Sequence, residues 1–448
     1  MTDTIVGIAT AQGAGGVAIV RISGGEAAGL LSQVFRSGRY RPPYESHRMM
    51  YGHIMDGDTQ VDECMAVYMA APRTYTREDV CEIHTHGGST AAALTMKLLI
   101  RLGARPAEAG EFTRRAFMNG RIDLSQAEAV MGVISAQSRA ALLAEQQQLS
   151  GGQSRFIKQA QEQLTTLLAG LEAHIDYPDE IDEEEAVSGL NEGLDALIRS
   201  LAGAIDERCA RIVREGLRVA LCGRPNAGKS TLFNALLGEE KAIVTAIPGT
   251  TRDVLDGSFT LDGCLVLLSD TAGLRESEDV VEQIGVERAR KAMQEADVAL
   301  LVVDASQPLT DEDKALLTSP FSCPCATLLN KQDAAVVGPK EAGALGAPSP
   351  ILCLSAKSGE GLDAVKDYLR SHLRTPQQLL LTHERHMSVA RQALERLEAA
   401  RCSLAIGAPA DLAAVDLHEA LYLLGRITGE SVDEQLLDDI FSRFCVGK

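Results

Sequence analysis

Residues 223–230 read Gly223-Arg224-Pro225-Asn226-Ala227-Gly228-Lys229-Ser230, a GxxxxGKS pattern. Such a loop can wrap a phosphate chain. Its glycines let backbone N–H groups point inward, Lys229 reaches the β- and γ-phosphates, and the Ser230 hydroxyl can ligate Mg²⁺. The run Val219-Ala220-Leu221-Cys222 supplies the preceding buried strand, and Thr231-Leu232-Phe233-Asn234-Ala235-Leu236-Leu237 supplies the helix. The helix N-terminus adds positive potential at the phosphates.

Three more motifs follow in the order that a guanine nucleotide requires. Asp270-Thr271-Ala272-Gly273 succeeds the apolar run Leu265-Val266-Leu267-Leu268. Asp270 at a strand end can hold Mg²⁺ through water, and the Gly273 N–H can meet a γ-phosphate. Asn330-Lys331-Gln332-Asp333 succeeds Ala326-Thr327-Leu328-Leu329. A carboxylate in this motif, at Asp333, accepts from the guanine N1–H and exocyclic amine together, which adenine cannot offer. Ser355-Ala356-Lys357 after Ile351-Leu352-Cys353-Leu354 fits the loop that supports the base. Between the first two motifs lies Thr245-Ala246-Ile247-Pro248-Gly249-Thr250-Thr251-Arg252-Asp253, where Thr251 is placed to complete the Mg²⁺ shell in a switch ordered by GTP. The position after the second motif, where many GTPases carry a water-orienting Gln, holds Leu274. Hydrolysis therefore needs another group, with Arg275, Glu276, Glu278, Asp279 and Glu282 nearby.

The elements around these motifs divide the chain. A length of 448 residues suggests about three domains. Residues 1–118 carry β-like runs (Gly16 to Ile22, Ala66 to Met69), glycine pairs at 15–16, 24–25 and 87–88, and a helical stretch from about Ser89 to Leu102, an α+β pattern. Residues 123–175 have long-helix composition, Pro178 and the acidic run after it break the pattern, and a further helix runs to about Arg214. Residues 377–404 and 411–443 are again helical, whereas 216–373 alternate short apolar runs with helices. The expected fold is multidomain α/β. An α+β domain spans 1–118, a discontinuous all-α domain spans 119–212 and 374–448, and a Ras-like P-loop GTPase domain is inserted at 213–373.

The formal net charge is −19, from 62 acidic and 43 basic residues, which argues against non-specific coating of nucleic acid. By segment the balance is zero over 1–118, −9 over 119–212, −7 over 213–373 and −3 over 374–448. Aromatics at 4% and no Trp leave little for base-stacking platforms. No segment has the 18 or so consecutive apolar residues of a membrane span. The N-terminus lacks the pattern of a signal peptide, and none of the ten Cys form CxxC pairs, so reduced cytoplasmic thiols are expected. Cys445 is fourth from the end, but a terminal Lys448 fits a prenylation box poorly. His84 and His86, with His47 and His53 upstream, fit a loop packed about Gly87-Gly88 better than a metal site.

Together these residues resemble the MnmE (TrmE) family of tRNA-modification GTPases over essentially the whole chain. The resemblance is carried by Asp3-Thr4-Ile5-Val6, Gly15-Gly16-Val17, Val20-Arg21-Ile22-Ser23-Gly24, His86-Gly87-Gly88, Pro106, Gly110-Glu111-Phe112-Thr113, Arg115-Ala116-Phe117, Asp123-Leu124-Ser125-Gln126-Ala127-Glu128-Ala129, the nucleotide motifs and Phe444-Cys445-Val446-Gly447-Lys448. It implies potassium-dependent GTP hydrolysis, with Asn226, Thr245, Ile247 and Thr250 as K⁺ ligands and Glu282 positioning the attacking water. A cation between β- and γ-phosphate oxygens would offset transition-state charge. Hydrolysis would be linked to pairing of two GTPase domains. The resemblance further implies a homodimer and a one-carbon tetrahydrofolate (5-formyl or methylene) at Arg21, Glu82, Arg121 and Lys448. Arg121 stands where the family commonly has Lys, which keeps charge but changes geometry. It also implies a tRNA wobble-uridine substrate, and an FAD-containing partner, MnmG (GidA), since no GxGxxG fingerprint follows a strand here. A ribosome-assembly GTPase of Era or Der type is the alternative, though neither a second GKS nor a basic GxxG is found. A membrane-associated regulatory GTPase is less consistent with the lack of a basic amphipathic helix.

Overall fold

The computed structural model describes residues 3–11, 13–177, 183–239, 257–270, 294–373, 380–444 and 447, with side chains omitted for 183–188, Glu239 and Asp270. The chain forms two compact units, one of residues 1–131, 148–198 and 392–448, the other of 132–147 and 199–391.

The first unit opens with an α+β layer pair. Its elements are β1 (Ile5–Ile8), β2 (Val17–Ser23), α1 (Ala27–Val34), β3 (Phe35–Arg36), β4 (Arg48–Asp56), β5 (Thr59–Met69), β6 (Val80–His86), α2 (Ser89–Arg101), β7 (Arg105–Pro106) and α3 (Glu111–Met118). The seven strands form one sheet in the order β3-β4-β5-β6-β2-β1-β7, antiparallel except where β1 meets β7. Period-2 alternation sends Val20, Ile22, Ile83, Ala66, Met50 and Ile54 into a core with Leu30, Leu31, Leu98 and Leu99 of the helices. The other face carries Arg21 opposite Glu82, Met65 opposite His84, and Tyr51 opposite Met65. Gly87 packs so closely on the 15–16 pair that a Cβ there would lie 1.6 Å from the Gly15 carbonyl oxygen.

The helices that follow are α4 (Leu124–Ser135), α5 (Arg139–Leu149), α6 (Gly152–Asp176), α7 (Glu183–Ala204) and α8 (Glu207–Glu215). The 123–175 stretch is thus three helices. One break falls at Ser138, whose hydroxyl accepts from the Ala141 N–H, and another at Gly151, which is left-handed at φ 80°. The helix to Arg214 is interrupted at Asp206, whose carboxylate accepts from the Cys209 N–H as an N-cap.

The second unit contains β8 (Leu217–Cys222), α9 (Lys229–Glu239), β9 (Gly257–Leu261), β10 (Cys264–Asp270), β11 (Val298–Asp304), α10 (Asp311–Leu317), β12 (Cys325–Asn330), α11 (Pro339–Ala344), β13 (Ile351–Cys353) and α12 (Leu362–Ser371). The sheet order is β13-β12-β11-β8-β10-β9, parallel except for β9. The strands are apolar on both faces, as a sheet covered on both sides requires. The chain ends with α13 (Glu384–Ala405), α14 (Ala410–Thr428) and α15 (Glu434–Ser442), so the 411–443 stretch breaks after Gly429, left-handed at φ 94°. No helix among the described residues is long and apolar enough to cross a membrane.

A buried charge cluster closes the edge of the first unit's sheet. Arg115, 1% exposed, meets Asp3 at 2.9 Å, Glu111 at 3.0 Å and Glu78 at 3.1 Å. Arg105 bonds Asp3 and Glu111 as well. The Arg105 hydrogen bond holds the Asp3 carboxyl below its ordinary 3.8. Burial pushes Glu111 up, but hydrogen bonds from Arg105, the Glu108 N–H and Arg115 outweigh it and bring the group below 4.5. Depressed carboxylates stabilise the fold above their ordinary values, and that stability is lost as pH falls through the folded values. The hydrogen-exchange protection factors of the β1 and β2 amides, corrected for the intrinsic rate, should therefore fall below about pH 4.5. Arg115→Met should cost about 3 kcal/mol at neutral pH, because it takes one cation from the buried Glu111 and the partly buried Glu78, and should weaken this acid dependence.

Candidate nucleotide site and a second polar cluster

β8 delivers the chain to the phosphate loop, and α9 begins at Lys229. Three residues there take positive φ: Gly223 at 140°, Asn226 at 64° and Gly228 at 97°. The glycines are also required by close approach. A Cβ on Gly223 would lie 2.2 Å from the Val302 carbonyl oxygen, and one on Gly228 would lie 2.2 Å from the Asn330 amide nitrogen. Lys229 is buried, and its ammonium donates to the carbonyls of Gly223 and Arg224, both at 2.7 Å. Ser230 and Thr231 at the helix start are exposed and Ala227 is buried. A loop of turned backbone, a lysine held above it and an exposed serine at the helix start fit a Mg²⁺-bound phosphate chain.

Asn330 ties this loop to the base-side motifs. It is 2% exposed, its amide donates to the Ala227 carbonyl at 2.9 Å, and its carbonyl accepts from the Ala356 N–H at 2.9 Å. Lys331, left-handed at φ 63°, bonds Asp304 at 2.6 Å. Asp333 accepts from the Ser355 hydroxyl at 2.8 Å, which holds its carboxyl below the ordinary 3.8, so it meets a base as an anion at neutral pH. Lys357 lies exposed beside this loop. Parallel pairing thus gathers the phosphate loop, the Asn330 motif and the Ser355 loop at the carboxyl ends of β8, β12 and β13. The β10 backbone reaches Asp270 opposite Leu221, which brings the fourth motif to the same edge. Thr245, Ala246, Ile247, Pro248, Gly249, Thr250, Thr251, Thr271, Ala272, Gly273 and Glu282 lie outside the described residues.

A second cluster sits on the open face of the first unit's sheet. Arg21 bonds Glu82 through Nε and Nη2, both at 2.9 Å, and Nη1 donates to the Gly447 carbonyl at 3.4 Å. His84 lies 3.3 Å from the other Glu82 oxygen. The Arg21 guanidinium is 5.6 Å from the centre of the Tyr75 ring and 5.7 Å from that of Phe112, and Arg121 stacks on Tyr75 at 4.8 Å. Arg121 also donates to the Tyr75 carbonyl at 2.9 Å. Residues distant in sequence thus converge on one aromatic ring, with Gly447 beside them. Tyr75 carries no motif, and Phe112 stands in the Gly110–Thr113 motif without an expected site role, so neither is expected at this cluster from the sequence alone. Lys448 and Cys445 lie outside the described residues. His86 bonds Asp62 at 2.8 Å, and no cluster of three or more His, Cys, Asp or Glu that could hold a metal ion occurs among the described residues. Burial pushes the Cys64 and Cys325 thiols up to about 12, which makes them inert.

The largely parallel sheet, with the phosphate loop and the Asn330 and Ser355 loops at its carboxyl edge, defines a multidomain P-loop GTPase with an α+β domain at its N-terminus and an all-α domain. Residues 4–121 match the model of the GTP-binding protein TrmE N-terminus, and residues 124–445 match that of the MnmE helical domain. A Chloroflexus aurantiacus protein described as tRNA modification GTPase MnmE is 47% identical, covering 100% of both chains. A Streptococcus thermophilus protein of the same description is 42% identical over 100% of this chain and 98% of its own. Among solved structures, the G domain of the Thermotoga maritima FeoB iron transporter is 30% identical, with a TM-score of 0.27 over 35% of this chain and 98% of that one. The chain belongs to the MnmE family of tRNA modification GTPases. It is a GTP hydrolase that uses GTP with Mg²⁺, and membership decides against the ribosome-assembly alternative.

Asn330→Ala removes two buried hydrogen bonds and leaves the Ala356 N–H unpaired. It should cost about 2–4 kcal/mol in unfolding of the GTPase region and weaken GDP binding at least tenfold, read by denaturant titration and calorimetry.

Proposed function

We propose that the chain hydrolyses GTP to drive modification of the wobble uridine of tRNA, adding an aminomethyl-type group at carbon 5 with a one-carbon tetrahydrofolate as donor. The observation that carries this reading is the cluster of Arg21, Glu82, Arg121 and Tyr75 in a chain that also holds a guanine-nucleotide site. A donor in the 5-formyl or methylene form supplies the carbon. Tyr75 offers a ring face to the flat pterin, Glu82 can pair with its amino-pyrimidine edge, and the cations suit the glutamate tail. We assign Lys448 to the same pocket, since Gly447 already touches Arg21.

The open sheet face supports a homodimer. Val17, Met49, Tyr51 and Met65 are each between 44% and 57% exposed on the face that bears Arg21 and Glu82. An exposed apolar patch of this kind is most simply covered by a second copy. The functional division we propose is 1–118 for one-carbon binding and dimerisation, 119–212 with 374–448 for the helical scaffold, and 213–373 for GTP.

For hydrolysis we assign Mg²⁺ to Ser230, Thr251 and, through water, Asp270. K⁺ falls to Asn226, Thr245, Ile247 and Thr250, and the attacking water to Glu282. Potassium supplies positive charge between the β- and γ-phosphates when bound, and pairing of two GTPase domains orders the loop that holds it. The exposed Asn226 at φ 64° presents its side chain on the open side of the loop, in keeping with this role. The remaining assigned nucleotide contacts are Ala227, Gly228, Lys229, Thr231, Ala246, Pro248, Gly249, Thr271, Ala272, Gly273, Asn330, Lys331, Asp333, Ser355, Ala356 and Lys357. The flavin chemistry falls to a partner of the MnmG (GidA) type, in the cytoplasm. The acidity of the chain, −19 overall, leaves most tRNA phosphate contacts to that partner.

Mass spectrometry of tRNA nucleosides from a deletion strain should show wobble uridines lacking the aminomethyl-type group, and normal wobble uridines would overturn the reading. Exchange of K⁺ for Na⁺ should depress GTP hydrolysis at least tenfold at unchanged GTP affinity, whereas equal rates in both salts would remove the potassium assignment. Arg21→Ala should weaken binding of 5-formyltetrahydrofolate about tenfold while leaving GDP affinity intact, measured by calorimetry.

A further inference from the structure

We propose that Arg224 is a positioning residue for the nucleotide's β-phosphate, acting through Lys229. The GxxxxGKS pattern leaves this position open, yet its side chain is firmly committed. The Arg224 Nε donates to Glu312 at 2.8 Å, and Nη1 donates to the Thr310 hydroxyl at 2.8 Å and to Asp313 at 3.0 Å. These acceptors form the N-terminus of α10. The anchor is rigid because Thr310 and Asp313 also make a reciprocal capping box. The Thr310 hydroxyl accepts from the Asp313 N–H at 3.3 Å, and the buried Asp313 carboxylate accepts from the Thr310 N–H at 3.0 Å.

The backbone of the same residue holds the lysine. The Arg224 carbonyl accepts from Lys229 Nζ at 2.7 Å and from the Ala227 N–H at 3.3 Å. Fixing the guanidinium on α10 therefore fixes the peptide that aims the ammonium. A second tether secures the start of the β11–α10 connection, where the Asp304 carboxylate accepts from Lys331 Nζ at 2.6 Å and from the Ser306 N–H at 2.9 Å. The segment from Asp304 to Asp313 thus braces the phosphate loop at one end and the base-side motif at the other. An arginine serves at position 224 because its planar fork reaches three acceptors at once, which a lysine cannot.

A lysine aimed at β- and γ-phosphates matters only to ligands that carry them. In the full chain with Mg²⁺, Arg224→Ala should weaken GDP binding about tenfold and leave GMP binding within about twofold, both read by calorimetry. Arg224→Lys keeps the charge without the fork and should recover only part of the loss. Arg224 is one-third exposed, so the variants are expected to fold, which the melting temperature of the nucleotide-free chain checks. Unchanged GDP affinity, an equal loss for GDP and GMP, or full recovery by lysine would each overturn the proposal.

Discussion

One buried amide holds the nucleotide site together. Asn330 sits at the end of a fully buried strand and spends its donor on the phosphate loop and its acceptor on the base-supporting loop. Neither loop has a strand partner at that point, so their backbone groups need a side chain to satisfy them. The amide is also the reason residue 228 has no side chain, since a Cβ would strike its nitrogen. A single side chain, donating to one loop and accepting from the other, therefore links phosphate and base recognition. Arg224 and Asp304 add braces around it on the α10 side.

The α+β domain solves a different problem. Its sheet buries one face against two helices and leaves the other face open. Strand alternation places arginine, glutamate and histidine on that open face among methionines and tyrosines. An Arg–Glu pair at 2.9 Å, half shielded by Tyr75 and Phe112, keeps both charges in place without a fully buried ion pair. Arg21 and Arg121 both approach the Tyr75 ring, which gathers two cations at one place on this face.

Much of this was legible in the chain itself. The phosphate loop, the two base-side motifs and their supporting strands follow from residue type and spacing, and the strand from Gly16 and the helix from Ser89 appear within a residue or two of the expected bounds. The helical stretches were legible as composition but not as separate helices. Their breaks at Ser138 and Asp206 are single capping side chains, which look like any other polar residue in a helical window. His86 was singled out for its spacing, and it spends its ring on Asp62 across the β5–β6 pair, a partner 24 residues away.

What the sequence by itself determined is local chemistry. A glycine-rich turn, a lysine and a serine in fixed order bind phosphate wherever a strand and a helix flank them, because the backbone does most of the work. Only the tertiary structure decided which distant residues meet: Asn330 with Ala227 and Ala356, Arg224 with Asp313, and Arg21 with Glu82, Tyr75 and Gly447. Those meetings depend on sheet register and on the order of strands, and a one-residue slip would send every one of the strand side chains to the opposite face.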